Sequence, residues 1–179
     1  MNDAFAVPLA ADTLRIERVL PGPIERVWAY LTESDKRARW LADGPLEPLV
    51  GGRVQLVFRN NALTEGDDAA PAKYAAIAEE CRTGGRVTAC EPPHVLAFTW
   101  DEDGDEASEV CFELQPAGDA VRLTVTHRRL ARRDARISVA AGWHTHLDIL
   151  QARLTGHAPE GFWRRHTRLE AEYERRLPA

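Results

Sequence analysis

Apolar positions along the chain change their period, and each change marks a change of predicted secondary structure. Residues 13–20 (TLRIERVL) alternate apolar and polar side chains and are rich in β-branched residues, which predicts a strand. Residues 24–31 place apolar side chains at i, i+3, i+4 and i+7, which predicts one face of a helix. We expect a second short helix to follow and to end near Trp40.

A period of two returns after Gly51-Gly52. The strand predictions beyond that point are residues 53–58, 86–91, 94–100, 108–114 and 121–127. Turn sequences separate these runs, among them the pair Gly84-Gly85 and the acidic segment 101–106. Short strands joined by tight turns predict an antiparallel meander, so we expect one curved sheet of about six or seven strands.

Residues 60–82 interrupt this meander, because they form a connection too long for a hairpin loop. The second half of the insertion, PAKYAAIAEECR, is alanine-rich and begins with a proline. It places Tyr74 and Ile77 on one helical face. We therefore predict an inserted amphipathic helix over residues 71–82, with Tyr74 and Ile77 forming part of a candidate lid.

Residues 134–155 predict the longest helix of the chain. An apolar stripe runs along this helix at helical spacing and consists of Val139, Trp143, Leu147, Leu150 and Leu154. Because Gly142 has no side chain, we expect the helix backbone to approach the sheet closely there. An antiparallel sheet must cover its apolar face, and this stripe is the surface that can cover it. The predicted fold class is therefore α+β.

A further helix is predicted after Pro159. Its apolar side consists of Phe162, His166, Leu169 and Tyr173. We treat residues 13–156 as the domain, residues 157–179 as a helical extension and residues 1–12 as a flexible N-terminal tail. The extension can dock on its own domain or on a second copy, so both a monomer and a homodimer are compatible with the sequence.

Composition and charge exclude several classes of function. Hydrophobic residues make up 44% and charged residues 28% of the 179 residues, which is typical of a soluble globular protein. The net charge of −5 argues against a nucleic-acid partner, and no apolar run approaches the ~20 residues of a membrane span. Three widely spaced cysteines without a CxxC pair argue against zinc and for reduced thiols in the cytoplasm. We expect no cofactor.

Several sequence strings carry a family resemblance: IERVLPGPIERVWAYLTESDKRARWL, GGRV, GRVTACEPPHVLAFTW, SEVCFEL with VRLTVTHRRL, and GWHTHLDIL. Together they span about residues 14–154 and resemble the START-like superfamily called SRPBCC. More narrowly, they resemble its branch of homologues of the activator of the heat-shock-protein-ninety ATPase. The resemblance implies the helix-grip fold, in which a curved antiparallel sheet wraps round a long C-terminal helix. The superfamily hosts lipid carriers, aromatic cyclases, hormone receptors and chaperone regulators, so the fold alone does not give the function.

A helix that straddles a curved sheet leaves a space, and large side chains fall on the inward faces around it. The predicted cavity residues are Trp28, Trp40, Phe58, Phe98, Trp100, Phe112, His127, Trp143, His146, Leu147 and Leu150. Ordinary core packing is the alternative for each of them. We nominate His127 and His146 as the polar groups that orient a ligand, because an apolar pocket needs a few such groups.

Catalytic chemistry is sparse, so the sequence predicts no catalytic residue and no metal ligand. His144 and His146 lie about 200° apart on a helix and cannot bind one metal. His144 and Asp148 are four residues apart, and we expect a hydrogen-bonded surface pair. No serine lies in a GxSxG motif.

Three functions are compatible with these features. The first is a non-enzymatic binding module that holds a small hydrophobic or aromatic ligand between the sheet and the long helix. The second, implied by the resemblance alone, is regulation of a chaperone ATPase or another protein-interaction role. The third is an enzyme similar to polyketide cyclases, with His127 as its base. The scarcity of paired catalytic groups favours the first.

Overall fold

The computed structural model describes residues 4–100 and 107–178, so the predicted acidic turn 101–106 lies outside the described residues. Within this part of the chain, seven antiparallel strands form one sheet in the order β1-β2-β7-β6-β5-β4-β3. The strands are β1 (Val7–Ala10), β2 (Thr13–Pro21), β3 (Arg53–Phe58), β4 (Cys81–Glu91), β5 (Val95–Trp100), β6 (Ser108–Ala117) and β7 (Ala120–Arg128). The predicted antiparallel sheet is confirmed.

Helices cover this sheet in the predicted order. They are α1 (Ile24–Thr32), α2 (Ser34–Arg37), α3 (Ala75–Ala78), α4 (Arg133–Thr155) and α5 (Phe162–Arg176). The long helix α4 ends at Gly156, whose φ of +75° is the left-handed conformation that commonly terminates helices. With α4 against the sheet and two short helices after β2, the predicted α+β helix-grip fold is confirmed.

The centre of the contact between α4 and the sheet is solid apolar packing. Leu147 and Leu150 are fully buried in the same core as Phe98 and Phe112. The Trp143 ring meets the Phe112 ring edge to face, with centroids 5.4 Å apart. Burial at ~25 cal/mol per Å² of apolar area, together with this aromatic geometry, holds the helix on the sheet.

Residues 4–12 are bonded to the domain, which differs from the flexible tail expected over residues 1–12; residues 1–3 lie outside the described residues. Val7–Ala10 pair with β2 and form an edge strand of the sheet. The backbone N–H of Ala6 donates to the Tyr173 hydroxyl at 2.7 Å, and the Phe5 ring packs edge to face on Tyr173 at 5.3 Å. These partners come from α5, at the opposite end of the sequence, so no local pattern could have indicated them.

The insertion over residues 60–82 is less helical than predicted. It contains two 3-10 turns, Asn60–Ala62 and Ala72–Tyr74, and the single α-helical turn α3. Strand β4 begins at Cys81 and runs through Gly84 and Gly85, so the prediction of a turn at that glycine pair is wrong. A Cβ on Gly85 would collide with the Thr99 carbonyl of β5, which explains why glycine lies inside a strand there.

Helix α5 packs against α4 as part of the same core. Its predicted apolar face is buried, and Trp163 is buried beside it. Asp148 of α4 bonds both Arg18 of β2, at 3.1 Å, and Arg165 of α5, at 2.9 Å. The Arg18 side chain is fully buried, so this carboxylate joins three elements of the fold.

Candidate functional site

A cavity of about 320 Å³ lies where α4 and the strands β3 to β5 and β7 meet the insertion and α5. Its wall is aromatic and aliphatic with a few neutral polar groups: Leu41, Phe58, Asn60, Tyr74, Ile77, Cys81, Thr83, Trp100, His127, Ser138, Val139, Gly142, Trp143, His146, Phe162, Trp163 and His166. This size lies in the lower part of the ~300–1,000 Å³ range of small-molecule sites.

The cavity therefore lies at one end of the space between helix and sheet and not at its centre. Five of the predicted cavity residues line it: Phe58, Trp100, His127, Trp143 and His146. Both candidate lid residues, Tyr74 and Ile77, line it as well, and Ile77 is 43% exposed.

Six predicted cavity residues lie elsewhere. Phe98, Phe112, Leu147 and Leu150 are buried in the hydrophobic core at the centre of the contact between α4 and the sheet. Trp40 is fully buried, and its indole N–H donates to the Tyr30 carbonyl at 2.8 Å. Trp28 is half-buried and packs against the core from α1. All six residues belong to or pack against the hydrophobic core, which is the alternative that the sequence left open.

His127 takes part in a hydrogen-bonded chain that fixes its tautomer. The indole N–H of Trp143 can only donate, and it reaches Nδ1 of His127 at 3.1 Å. The remaining N–H of the neutral ring is therefore on Nε2, which lies 3.1 Å from the Ser108 hydroxyl. Burial, with the charge of Arg129 as a smaller cause, lowers the pKa of His127 to about 3.

The hydrogen bond from Nε2 of His127 to the Ser108 hydroxyl runs in the opposite direction to the one that activates a serine nucleophile. In a nucleophilic pair the imidazole accepts the hydroxyl proton at a nitrogen with a lone pair. Nε2 of His127 instead carries the proton, while its lone-pair nitrogen is occupied by Trp143. The geometry therefore supports a structural role for His127 rather than that of a base.

His146 also lies on the cavity wall as a neutral ring. Its Nδ1 lies 2.8 Å from the Trp40 carbonyl, which only accepts, so Nδ1 carries the proton and Nε2 keeps a lone pair. Burial lowers the pKa of His146 to about 4, although the bond to Trp40 acts in the opposite direction. Phe58 and Phe162 flank the ring, with centroid distances of 5.9 and 5.0 Å.

Gly142 opens the cavity on the α4 side. A Cβ built on Gly142 would meet no heavy atom within 4 Å, so the expected close approach of the helix to the sheet is wrong. The missing side chain instead leaves room beside Trp143 on the cavity wall.

The insertion and α5 close the cavity together. The Trp163 indole N–H donates to Asn61 Oδ1 at 2.8 Å, and the Trp163 ring stacks on Tyr74 at 5.6 Å. Lys73 and Tyr74 both bond Glu170 of α5. Two segments that the sequence set apart from the basic fold therefore form one wall.

His144 and Asp148 do not form the expected surface pair. His144 is fully buried, and its Nδ1 lies 2.8 Å from the Tyr173 hydroxyl. Its Nε2 is 3.8 Å from the Asp148 carboxylate, which also bonds two arginines. The prediction was wrong because α5 and the N-terminal segment cover this face of α4.

The described residues outside the cavity give weaker support for a binding site. A groove of about 450 Å³ between the C-terminal part of α4 and the start of α5 is larger. Its charges are already paired, Asp148 with Arg165 and Glu160 with Arg168. Among the described residues, no group of three or more histidine, cysteine or acidic side chains could hold a metal ion. No helix in the described ranges has the length and apolar character needed to span a membrane.

The fold and the aromatic cavity define a helix-grip protein of the START-like, SRPBCC type. The family model described as "Activator of Hsp90 ATPase homolog 1-like protein" matches residues 21–155, and the chain belongs to this family. The resemblance noted from the sequence is confirmed. No curated protein matches the chain by sequence.

Solved structures agree with this assignment. A Bordetella parapertussis protein known from a solution NMR structure is 47% identical with a TM-score of 0.80, and the match covers 100% of this chain and 95% of that one. That match therefore includes the insertion and the C-terminal extension. The crystal structure of CalU16 from Micromonospora echinospora is 21% identical with a TM-score of 0.66, covering 91% of this chain and 86% of that one. A protein of unknown function from Enterococcus faecalis is 20% identical with a TM-score of 0.66, covering 97% and 89%. The latter two show the fold alone.

Proposed function

We propose that the protein is a non-enzymatic binding module that holds a small apolar or aromatic molecule in the cavity between α4, the sheet and α5. The observation that carries this proposal is the aromatic wall, in which Phe58, Trp100, Trp143, Phe162 and Trp163 surround about 320 Å³. Apolar area buried on such a wall contributes ~25 cal/mol per Å² before ordering terms are subtracted.

The lining supports binding rather than catalysis. Among its described residues, none is aspartate, glutamate, lysine or arginine. His127 and His146 are held neutral, and the protein engages both ring nitrogens of His127 and Nδ1 of His146. A general acid or base needs a free, positioned group with a pKa near the working pH, and the shifts to about 3 and about 4 move both rings away from it.

Isothermal titration calorimetry with naphthalene tests this proposal in the wild type, in Gly142→Leu and in Gly142→Ala. Gly142→Leu places a side chain in the space beside Trp143, and we expect it to weaken naphthalene binding at least about tenfold. Gly142→Ala is the matched control, because one methyl group leaves most of the cavity open. Native mass spectrometry of the purified protein tests for a retained small molecule. No binding heat in the wild type and no retained molecule would contradict the proposal.

A second candidate is regulation of a chaperone ATPase, which the family match favours. One surface feature supports a protein partner: Leu49 and Val50, next to each other before β3, are 60% and 66% exposed. The test is the ATPase rate of the host chaperone with the wild type and with Leu49→Ser plus Val50→Ser. We expect stimulation that the double variant loses, and an unchanged rate with the wild type would reject this role.

The location and oligomeric state are further proposals. Neither Cys90 nor Cys111 forms a disulfide within the described residues, which supports a reducing compartment such as the cytoplasm. The apolar face of α5 is covered by its own domain, which supports a monomer. Intact mass of the protein trapped by alkylation in cells, and sedimentation equilibrium, test the two proposals.

A further inference from the structure

Two buried polar atoms on the cavity wall lack a hydrogen-bond partner within the part of the chain that the structure describes. They are Nδ1 of His166, on α5, and Oδ1 of Asn60, in the 3-10 turn that contacts α5. His166 is only 4% exposed. In folded proteins nearly all buried polar atoms have a hydrogen-bond partner. Two such atoms without a partner on one cavity wall therefore indicate a ligand that forms the missing hydrogen bonds.

The described residues around these two atoms supply no hydrogen-bond partner. Rings enclose His166: Tyr74 lies edge-on at 5.2 Å, Phe162 stacks at 5.6 Å and Trp163 lies edge-on at 5.8 Å. The neighbouring amide of Asn61 is already used, since it accepts from Trp163 and donates to Glu79. Asn60 and His166 therefore bring two unpaired polar atoms to the part of the cavity wall where the 3-10 turn contacts α5.

The chemistry of the two atoms selects the ligand's polar group. An amide oxygen only accepts, whereas Nδ1 of a neutral imidazole donates or accepts according to its tautomer. A hydroxyl group has one donor hydrogen and accepting lone pairs, so it can donate to Oδ1 of Asn60 and accept from Nδ1 of His166 in the tautomer that is protonated there. A charged group is disfavoured, because the described lining holds no oppositely charged side chain and an unpaired buried ion is expensive. Burial also lowers the pKa of His166, which keeps this ring neutral at pH 7.

We propose that the cavity selects a neutral aromatic molecule that carries a hydroxyl group, and that Asn60 and His166 bind the hydroxyl end. This inference rests on the proposed binding function and adds the class of ligand. The aromatic body packs against other rings of the cavity lining, among them Phe58, Trp100 and Trp143. The recognition elements come from the insertion and from α5.

A matched pair of probes tests the inference: β-naphthol, and naphthalene, which lacks only the hydroxyl group. Isothermal titration gives the ratio of their dissociation constants for each protein, and comparison between proteins cancels the different hydration of the probes. Asn60→Leu and His166→Phe remove the polar atoms with little change of shape, singly and together. His157→Phe, an exposed histidine in the loop before α5, is the control.

In the wild type we expect β-naphthol to bind about tenfold more tightly than naphthalene. Naphthalene leaves the buried polar atoms unpaired, and this penalty corresponds to about a tenfold difference in the dissociation constant. In the double variant the preference should fall to about equal binding, while the naphthalene affinity stays within about threefold. His157→Phe should keep the wild-type preference. Circular dichroism checks that each variant is folded. If the double variant does not fold, the same comparison is made with the two single variants.

The failures are distinguishable. Naphthalene binding without any β-naphthol preference, or a preference that the variants retain, overturns the assignment of Asn60 and His166 and leaves the proposed function standing. The first result would mean that water completes these two atoms. Tighter binding of β-naphthoate than of β-naphthol overturns the neutral-ligand assignment. Binding of none of the probes overturns the proposed function and this inference with it.

Discussion

The indole N–H of Trp143 donates to Nδ1 of His127 across 3.1 Å, and this bond joins the long helix to strand β7 beside the cavity. It fixes the imidazole as the tautomer protonated at Nε2. That N–H in turn lies 3.1 Å from the Ser108 hydroxyl, which reaches the Trp100 carbonyl at 3.4 Å. Buried polar chains of this kind stabilise a fold only when each member is paired.

Trp143→Phe should therefore reveal how much the Trp143–His127 bond contributes. The variant keeps an aromatic ring but leaves Nδ1 of His127 buried without a donor, which we expect to lower the free energy of unfolding by about 1–3 kcal/mol in addition to lost packing. Urea unfolding of Trp143→Phe, His127→Phe and the double variant isolates the pair. A coupling energy near zero would show that the bond contributes nothing.

Acid should destabilise the protein through its buried histidines. The pKa values of His127 and His146 are lowered to about 3 and about 4, whereas an unfolded histidine titrates near 6.5. Below about pH 6.5 the unfolded state therefore binds protons that the folded state does not, and the free energy of unfolding falls as the pH falls. The contribution of each ring is complete above pH 6.5 and is lost progressively down to its folded pKa.

Urea unfolding between pH 7 and pH 4.5 measures this effect. Each of the two rings should contribute a slope of up to about 1.4 kcal/mol per pH unit. His127→Phe should remove one such contribution, while His157→Phe, on an exposed loop, should leave the slope unchanged. Equal slopes in the wild type and in His127→Phe would contradict the neutral state of His127.

Asp148 should be critical for stability, because its carboxylate pairs a fully buried arginine. Asp148→Ala leaves Arg18 in the core without a counter-charge, and removal of one partner of such a pair costs about 3–5 kcal/mol. The control is Asp134→Ala, since the Arg132–Asp134 pair is exposed and exposed pairs contribute little. Thermal and urea unfolding compare the variants. Equal stabilities of the two variants would show that Arg18 finds another partner.

The periodic elements of this fold could be predicted from the sequence, because burial leaves a regular pattern. The apolar stripe of α4 and the face of α5 with Phe162 and Tyr173 follow helical spacing, and both faces are buried except at Val139, which is half-buried. The pattern could not tell a ring in a packed core from a ring on a cavity wall. Phe98 and Trp100 share one face of β5, yet only Trp100 lines the cavity.

Three other site residues, Asn60, Thr83 and Trp163, carry no periodic signal. Asn60 and Thr83 lie in or beside the insertion, where contacts with α5 decide the structure. The sequence predicts Trp163 and His166 on a helical extension outside the domain. Only His166 of the two falls on the predicted apolar face of that helix. A long-range contact between residues 60–82 and residues 157–179 is a tertiary fact, and a single sequence does not encode it as a local pattern.

Asp67 should hold the wall formed by the insertion and α5. Its carboxylate accepts from the backbone N–H groups of Trp163 and Arg164, at 2.8 and 3.2 Å, at the start of α5. These amides have no partner within the helix, so the carboxylate acts as a cap that another segment supplies. Asp67→Ala should lower the free energy of unfolding by about 1 kcal/mol.

Hydrogen exchange separates this capping role from ordinary surface charge. In Asp67→Ala the amides of Trp163 and Arg164 should exchange faster, while those at the centre of α4 keep their protection. Asp68→Ala is the matched control, because the Asp68 side chain bonds only the exposed side chain of Arg164 among the contacts of α5. Because Trp163 lines the cavity, naphthalene binding should weaken in Asp67→Ala and not in Asp68→Ala. Unchanged exchange in Asp67→Ala would mean that the aromatic packing of Trp163 on Tyr74, and not the carboxylate, keeps the start of α5 in place.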